Sequence, residues 1–203
     1  MHKNILTEEQ LQLLPLIKEF SKDFGLVGGT AIALHLGHRR SIDFDLFSNK
    51  SFGNKQILNK IWKHEKVDTV MVNKLDELTL VINKVKLTFF NYPFPIDYRH
   101  ELDDVIKVPD LLTLSAMKAF ALGMRAKWKD YVDLYFVIER HFSVKEISEK
   151  AKILFKDNFN EKLFKVQLSY FEGINYDEKI EFLPGFEVSD EEIKDKLINF
   201  SLE

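Results

Sequence analysis

The chain of 203 residues contains no cysteine. This absence excludes disulfide bonds, cysteine-ligated zinc sites and thiol catalysis, and it favours an intracellular protein. The six histidines also lack the His-x-x-x-His spacing that is typical of zinc ligands on a helix. A zinc site is therefore not expected.

Long hydrophobic runs are missing as well. No segment approaches the roughly 18 consecutive apolar residues that mark a membrane-spanning helix. The first turns of the chain carry Glu8, Glu9 and Glu19 within an apolar helical pattern, so they lack the uncharged core of a secretory signal. We therefore expect a soluble protein of the cytoplasm that does not associate with membranes.

An excess of charge of one sign is also absent, because 29 Lys and Arg residues oppose 32 Asp and Glu residues. The chain as a whole offers no basic field for nonspecific DNA binding, so any contact with nucleic acid requires a local patch. Two groups of basic residues are candidates, and for the lysines an ordinary solvated helix face is the alternative. The groups are His38, Arg39 and Arg40, and then Lys50, Lys55, Lys60, Lys63 and Lys66.

Apolar residues, by contrast, are plentiful. They make up 45% of the chain and include 18 Phe, which is ample for one compact domain or two small lobes. Helical and strand patterns are interspersed over residues 1–100, whereas residues 101–203 follow helical periodicity. The sequence therefore predicts an α+β protein, with a mixed β-sheet lobe flanked by helices over 1–100 and an α-helical lobe over 101–203 that completes the site.

The predicted elements follow from this periodicity. In the first lobe, the pattern predicts helices over 7–20, 31–36 and 54–64, and strands over 26–27, 42–47, 67–72, 77–82 and 85–90. In the second lobe, it predicts helices over 111–124, 129–141, 143–155 and 190–200, with a loop over 175–189.

Capping and turn residues support these boundaries. Thr7 with Gln10, and Ser143 with Glu146, have the spacing of capping boxes at helix N-termini. The pair Asn83-Lys84 between two strand patterns predicts a tight hairpin.

The most informative segment begins with a glycine turn. The short strand Leu26-Val27 runs into Gly28-Gly29-Thr30, and a helix follows directly. Glycines at this position expose backbone N–H groups at the helix N-terminus, where they and the helix dipole attract phosphate oxygens. A Gly-Gly pair alone is more often an ordinary tight turn.

Two carboxylates follow the turn. Asp43 and Asp45 lie two residues apart in an apolar strand pattern, which places both side chains on one face. Mg²⁺ is usually held by one or two carboxylates together with substrate phosphates. The order of glycine turn and carboxylate pair therefore predicts a phosphate site with Mg²⁺, or Mn²⁺ as an alternative ion, bound by Asp43 and Asp45.

Charged residues also occur on the apolar faces of two later helices. Lys118 lies in the middle of an apolar face, and Arg125 extends that face. Asp130 and Asp133 share the inward side of the next helix. One interpretation is a buried ion pair that aligns the two helices. The other is that Lys118 and Arg125 contact triphosphate oxygens while Asp130 orients the lysine or acts as a base.

These motifs together resemble the AbiEii/AbiGii-type nucleotidyltransferase toxins of the DNA polymerase β-like superfamily. The resemblance rests on Gly28-Gly29-Thr30, on Arg40-Ser41-Ile42-Asp43-Phe44-Asp45-Leu46-Phe47, on Lys118 with Arg125, and on Lys129-Asp130-Tyr131-Val132-Asp133-Leu134. It covers roughly residues 24–140.

The resemblance implies a nucleotidyltransferase fold and a set of site residues. Asp43, Asp45, Lys118 and Asp130 would be catalytic, and Asp43 and Asp45 would hold the metal ion. The implied nucleotide-binding residues are Gly28, Gly29, Thr30, Arg40, Ser41, Lys118 and Arg125. One departure stands out, because many members place a third carboxylate on a later central strand, where this chain offers only Thr88.

The resemblance also implies a biological role. The protein would move a nucleoside monophosphate from an NTP to a hydroxyl acceptor, RNA such as tRNA or a protein, as the toxin of a toxin–antitoxin or phage-defence system with a cognate antitoxin. Two alternatives are a non-catalytic nucleotide- or protein-binding module that keeps the fold, and a HAD-type phosphatase. The phosphatase fits poorly because its Asp-x-Asp motif ends an apolar strand, whereas polar residues precede Asp43.

Overall fold

A five-stranded sheet forms the centre of the first half of the chain in a computed structural model, which describes residues 1–122 and 124–203. The strands are β1 (Gly25–Val27), β2 (Phe44–Ser48), β3 (Thr69–Lys74), β4 (Glu77–Ile82) and β5 (Val85–Asn91). Their order in the sheet is β1-β2-β5-β4-β3. Strands β2 and β5 are parallel and the other pairs are antiparallel, which confirms the predicted mixed sheet.

The register of the sheet decides which side chains meet on its open face. Asp45 on β2 lies opposite Thr88 on β5, and Phe47 lies opposite Phe90. Since strand side chains alternate between faces, Asp45, Phe47, Thr88 and Phe90 project to the same side. Residue 88 is therefore directly beside the carboxylate pair, as its proposed equivalence to a third carboxylate position requires.

The helices largely match the predicted ones. They are α1 (Glu8–Lys18), α2 (Gly28–Leu36), α3 (Asn54–Ile61), α4 (Leu111–Leu122), α5 (Trp128–Arg140), α6 (Val144–Phe155), α7 (Glu161–Leu168) and α8 (Asp190–Ser201). Gly123, which falls in the helix predicted over 111–124, lies outside the described residues. Among the described helices, none is long and apolar enough to cross a membrane.

The structure confirms the predicted capping boxes and the predicted hairpin turn. Both predicted capping boxes are formed, at Thr7 in front of α1 and at Ser143 in front of α6. Asn83 and Lys84 both have positive φ, which is the geometry of a two-residue hairpin turn between β4 and β5.

Some elements were not predicted, namely helix α7 and two short strands. Strands β6 (His100–Leu102) and β7 (Ile106–Val108) pair with each other, and their three residues each are too short to produce a periodic pattern. The two strands span the predicted boundary at residue 100. The apolar core is continuous from the sheet residue Phe89 to Tyr131 and Leu134 of α5. The division into lobes stays a prediction.

Candidate active site

A cleft of about 470 Å³ lies between the open face of the sheet and helix α4. Charged side chains line the cleft together with apolar and aromatic ones. The charged residues are Asp43, Asp45, Glu77, Lys86, Lys118, Arg125, Lys127 and Lys129, and the aromatic residues are Phe47, Phe90, Tyr92 and Phe120.

Gly28 and Gly29 form the turn from β1 into α2 and line the cleft. Gly28 has a φ of +73°, and a Cβ atom added there would lie 2.2 Å from Oδ2 of Asp45. A Cβ atom on Gly29 would lie 2.8 Å from a guanidinium nitrogen of Arg39. Only glycine therefore allows the backbone to approach the carboxylate this closely.

The two aspartates both line the cleft. Asp45 is on β2, whereas Asp43 immediately precedes the strand. Burial, and then the negative charge of Asp43, raise the pKa of Asp45 above its ordinary value. A divalent cation would relieve this repulsion, and carboxylate oxygens are the ligands that Mg²⁺ prefers. The pair therefore fits a hard divalent ion.

Asp43 and Asp45 form a pair, and Glu77 of β4, which also lines the cleft, does not complete a triad with them. Within residues 1–122 and 124–203, no group of three Asp, Glu, His or Cys side chains is arranged to hold a metal ion. Thr88 occupies the neighbouring position on β5, opposite Asp45. The hydroxyl of a threonine cannot replace the charge of a carboxylate.

Thr30 lies beneath the cleft rather than in it. Its side chain is buried, with its hydroxyl 2.9 Å from Oγ of Ser41 and hydrogen-bonded to the carbonyl oxygen of Asp43. Ser41 itself lines the cleft. Thr30 therefore fixes the segment that carries Asp43, and phosphate contact by the glycine backbone at this turn stays a prediction.

Lys118 of α4 is buried and bridges two aspartates of α5. Its Nζ atom lies 2.7 Å from Oδ1 of Asp130 and 3.0 Å from Oδ2 of Asp133. Nε of Arg125 lies 3.0 Å from Oδ2 of Asp130. The buried ion pair that the sequence offered as one interpretation is therefore present. Lys118 and Arg125 also line the cleft, so contact with a triphosphate stays a prediction.

The surroundings of Asp130 bear on its expected role. Burial alone would raise its pKa, but the charges of Lys118 and Arg125 outweigh burial and lower the pKa. A carboxylate with a lowered pKa and two cationic partners accepts a proton poorly. This environment favours the orienting role over the role of a base.

Residues 38–40, which were predicted as a basic patch, do not form a patch on the surface. His38 and Arg39 are buried, and both contact Asp133, with His38 Nε2 and Arg39 Nε each 2.8 Å from its Oδ1. Arg40 points away from the cleft, and its Nε lies 2.7 Å from Oε1 of Glu181. His38 and Arg39 are thus structural, and the structure does not bring Arg40 together with the other predicted nucleotide-binding residues.

Sequence reasoning missed three cleft lysines. Lys86 of β5 lies with its Nζ 2.6 Å from Oδ2 of Asp43. Lys129 of α5 is 3.8 Å from the same oxygen and forms an ion pair with Glu178, which also lies 2.8 Å from Nζ of Lys127. Lys86 could have been found, because it precedes Thr88 by two residues and so shares its face.

Glu178 belongs to a segment that we call the strap, residues 175–183. The strap lacks regular structure but is fixed at both ends. Asn175 exchanges backbone hydrogen bonds with Ala126 and Trp128, and at the other end Leu183 donates to the carbonyl of His38. Although burial opposes it, hydrogen bonding to Lys127 and Lys129 lowers the pKa of Glu178 to about 2.

Comparison with solved structures identifies the class of this architecture. The chain is similar to the nucleotidyltransferase toxin MenT4 of Mycobacterium tuberculosis, with a TM-score of 0.60 and 11% identity over 95% of this chain and 81% of that one. A candidate nucleotidyltransferase of Helicobacter pylori has a TM-score of 0.58 and 14% identity over 96% of this chain and 92% of that one. At such identities the similarity shows the fold, which is that of a nucleotidyltransferase.

Sequence comparison then places the chain within a family. Residues 16–197 match the family described as nucleotidyl transferase AbiEii toxin of a type IV toxin–antitoxin system. An uncharacterised protein of Aquifex aeolicus is 30% identical over 199 residues, covering 95% of this chain and 96% of that protein. The chain belongs to the AbiEii nucleotidyl transferase toxin family, and it is a transferase.

Proposed function

We propose that the protein transfers a nucleoside monophosphate from an NTP to a hydroxyl group of RNA, with Mg²⁺ held by Asp43 and Asp45 and Mn²⁺ as an alternative. One observation carries this proposal. The carboxylate pair lies against the Gly28–Gly29 turn, in the same cleft as the amino groups of Lys86 and Lys129. A metal ion, backbone N–H groups and ammonium groups are the parts from which nucleotide phosphate sites are built.

Each cleft residue has a role in this proposal. The backbone N–H groups at the N-terminus of α2 bind phosphate oxygens of the NTP. Arg125 and Lys129 bind the pyrophosphate that leaves, where the planar guanidinium can hold two oxygens at once. Lys118, oriented by Asp130, adds positive charge from the floor of the cleft.

In the reaction, the acceptor oxygen forms a bond to the α-phosphorus. The bond from the α-phosphorus to the bridging oxygen breaks, and pyrophosphate leaves with the electron pair while the acceptor proton passes to water. When bound, Mg²⁺ neutralises charge that develops on the phosphate oxygens. The ammonium and guanidinium groups act on the same charge without having to reorganise during the reaction.

The biological role follows from the family. AbiEii proteins are described as toxins of toxin–antitoxin systems, so we propose that a cognate antitoxin opposes this protein and that it acts in the cytoplasm, with phage defence as one setting. We place the acceptor in RNA, of which tRNA is the leading candidate, and a protein acceptor is the alternative. The polar segment before Asp43 and the position of Asp43 ahead of β2 do not fit a HAD-type phosphatase.

Incubation with each α-labelled NTP in turn tests the proposal. Wild type and the Asp43→Ala variant are incubated with Mg²⁺ and with either total RNA or a protein extract, and the products are resolved on a gel. We expect label on RNA with wild type and a loss of about 10³-fold or more in the variant. Asp97→Ala is the control, because Asp97 is exposed and pairs with Arg99 outside the cleft.

Label on protein alone would correct the acceptor. Nucleotide binding without transfer from any NTP would instead favour the non-catalytic alternative, a binding module that keeps the fold.

A further inference from the structure

Lys86 has an unusual position for a lysine. It lies on the middle strand of the sheet, next to the strand that carries Asp45, and its Nζ atom is 2.6 Å from Oδ2 of Asp43. Its side chain is 32% exposed and lines the cleft, so the ammonium group is accessible to a substrate.

The same strand lacks the carboxylate that a second metal ion would need. Thr88, two residues after Lys86 on the same face, lies opposite Asp45. Two-metal sites hold their ions about 3.5–4 Å apart and stabilise both the attacking and the leaving oxygen. With Asp43 and Asp45 as the carboxylate pair, and Asp43 already paired with an ammonium group, the site offers ligands for one ion and a positive charge beside it.

We propose that Lys86 is a catalytic residue that takes the place of a second divalent ion. One ion is bound by Asp43 and Asp45, and the ammonium of Lys86 supplies the second positive charge that stabilises the reacting phosphate. Lys86 keeps its proton throughout, while the bond to the acceptor oxygen forms and the bond to pyrophosphate breaks. This inference rests on the proposed function.

Lys129 is less suited to the same role. Its Nζ atom is 3.8 Å from Asp43, and its charge is partly neutralised by the ion pair with Glu178. Among the ion pairs of the described residues, Lys86 has Asp43 as its single partner. Lys86 is therefore the nearer of the two lysines to Asp43, and its ion pair involves the carboxylate pair alone.

The test counts bound ions and measures turnover separately. Mn²⁺ is titrated into the full-length protein saturated with a non-reactive NTP analogue, and bound ions are counted by electron paramagnetic resonance. We expect one ion in wild type and one in Lys86→Met, while kcat of Lys86→Met falls by about 10²-fold or more. Lys86→Arg should recover part of the rate because it keeps the charge.

A double variant gives an independent readout. Lys86→Met combined with Thr88→Asp replaces the ammonium by a third carboxylate, so it should bind two ions. Lys74→Met, which removes an exposed lysine of the edge strand β3, is the matched control and should leave ion number and rate unchanged.

The outcomes separate the two proposals. Transfer by wild type with two bound ions, or an unchanged kcat in Lys86→Met, would overturn the role of Lys86 and leave nucleotidyl transfer standing. No transfer by wild type from any NTP would overturn the proposed function itself, and the role of Lys86 in it.

Discussion

At Gly28, the backbone conformation and the position of the Asp45 carboxylate depend on each other. Its φ of +73° belongs to the left-handed region, which costs an ordinary residue roughly 1–2 kcal/mol. Oδ2 of Asp45 occupies the space that a Cβ atom would need. The carboxylate can therefore lie against the turn only while position 28 is glycine.

We predict that Gly28→Ala lowers the free energy of unfolding by about 1–3 kcal/mol and lowers transfer by about 10²-fold or more, because Asp45 must move. Denaturant unfolding and Mn²⁺ binding measure the two effects. Gly173→Ala is the control, since Gly173 has a φ of +69° but no atom within 4 Å of the added Cβ. It should lose stability alone, and equal loss of metal binding in both variants would contradict the explanation.

Helix α5 carries both of the buried aspartates of residues 1–122 and 124–203. Asp130 and Asp133 lie on its inward face, and Asp133 receives contacts from His38 and Arg39 and from Lys118 of α4. The helix is thereby linked to the segment before β2 and to its neighbour α4. Although burial opposes it, the charges of Arg39 and Lys118 hold the pKa of Asp133 well below its ordinary value.

We predict that Asp133→Asn lowers the free energy of unfolding at pH 7 by about 3–5 kcal/mol, because it leaves buried cations without a partner. The folded pKa lies below the unfolded value of about 3.9, so the contribution of Asp133 is complete above that pH and is lost as the pH falls towards the folded pKa. Urea unfolding at pH 7 and pH 3 should therefore show a smaller difference between variant and wild type at pH 3.

Asp195→Asn on the exposed side of α8 serves as the comparison and should change stability by less than about 0.5 kcal/mol. An equal loss for Asp133→Asn at both pH values would mean that packing, rather than charge, explains the effect.

Across the whole molecule, the strap joins two regions that are distant in sequence. It binds residues 126–128 at one end and 38–40 at the other, and between them Glu178 neutralises Lys127 and Lys129 beside the cleft. Because its pKa is about 2, Glu178 stays ionised at any pH at which the protein is used. The two lysines therefore meet an anionic substrate with part of their charge already compensated.

We predict that Glu178→Gln tightens the binding of inorganic tripolyphosphate by about three- to tenfold at low ionic strength, and that added salt reduces the gain. Isothermal titration calorimetry measures the dissociation constants. Glu181→Gln removes a carboxylate of the same strap that pairs with Arg40 outside the cleft, so it should leave binding unchanged. Weaker binding in Glu178→Gln would show that Glu178 positions the lysines for the phosphates.

Local signals predicted much of this fold. Helices α1 and α6 are marked by capping boxes, and the turn at Asn83 and Lys84 is marked by its residue types. Strands β6 and β7 are too short for periodicity to show. Their pairing depends on contacts that no local pattern contains.

The candidate site was predictable from the sequence only where its residues lie close together along the chain. The turn at Gly28 and the pair of aspartates lie within one short segment, so their spacing carries information. Lys86 enters through the register of two strands, and Glu178 enters through an irregular segment. Which of Arg39 and Arg40 points inward depends on the direction of a loop, and the sequence does not encode that in a repeating pattern.

The position of the strap late in the chain has a consequence for protein synthesis. A nascent chain that has emerged only as far as β5 already contains the paired aspartates and Lys86, but none of the lysines of α4 and α5. The strap, which connects 126–128 to 38–40, emerges later still. Translation that stops after α5 but before residue 175 therefore releases fragments that contain the lining residues of the cleft but lack Glu178, so Lys127 and Lys129 are without the carboxylate that compensates their charge.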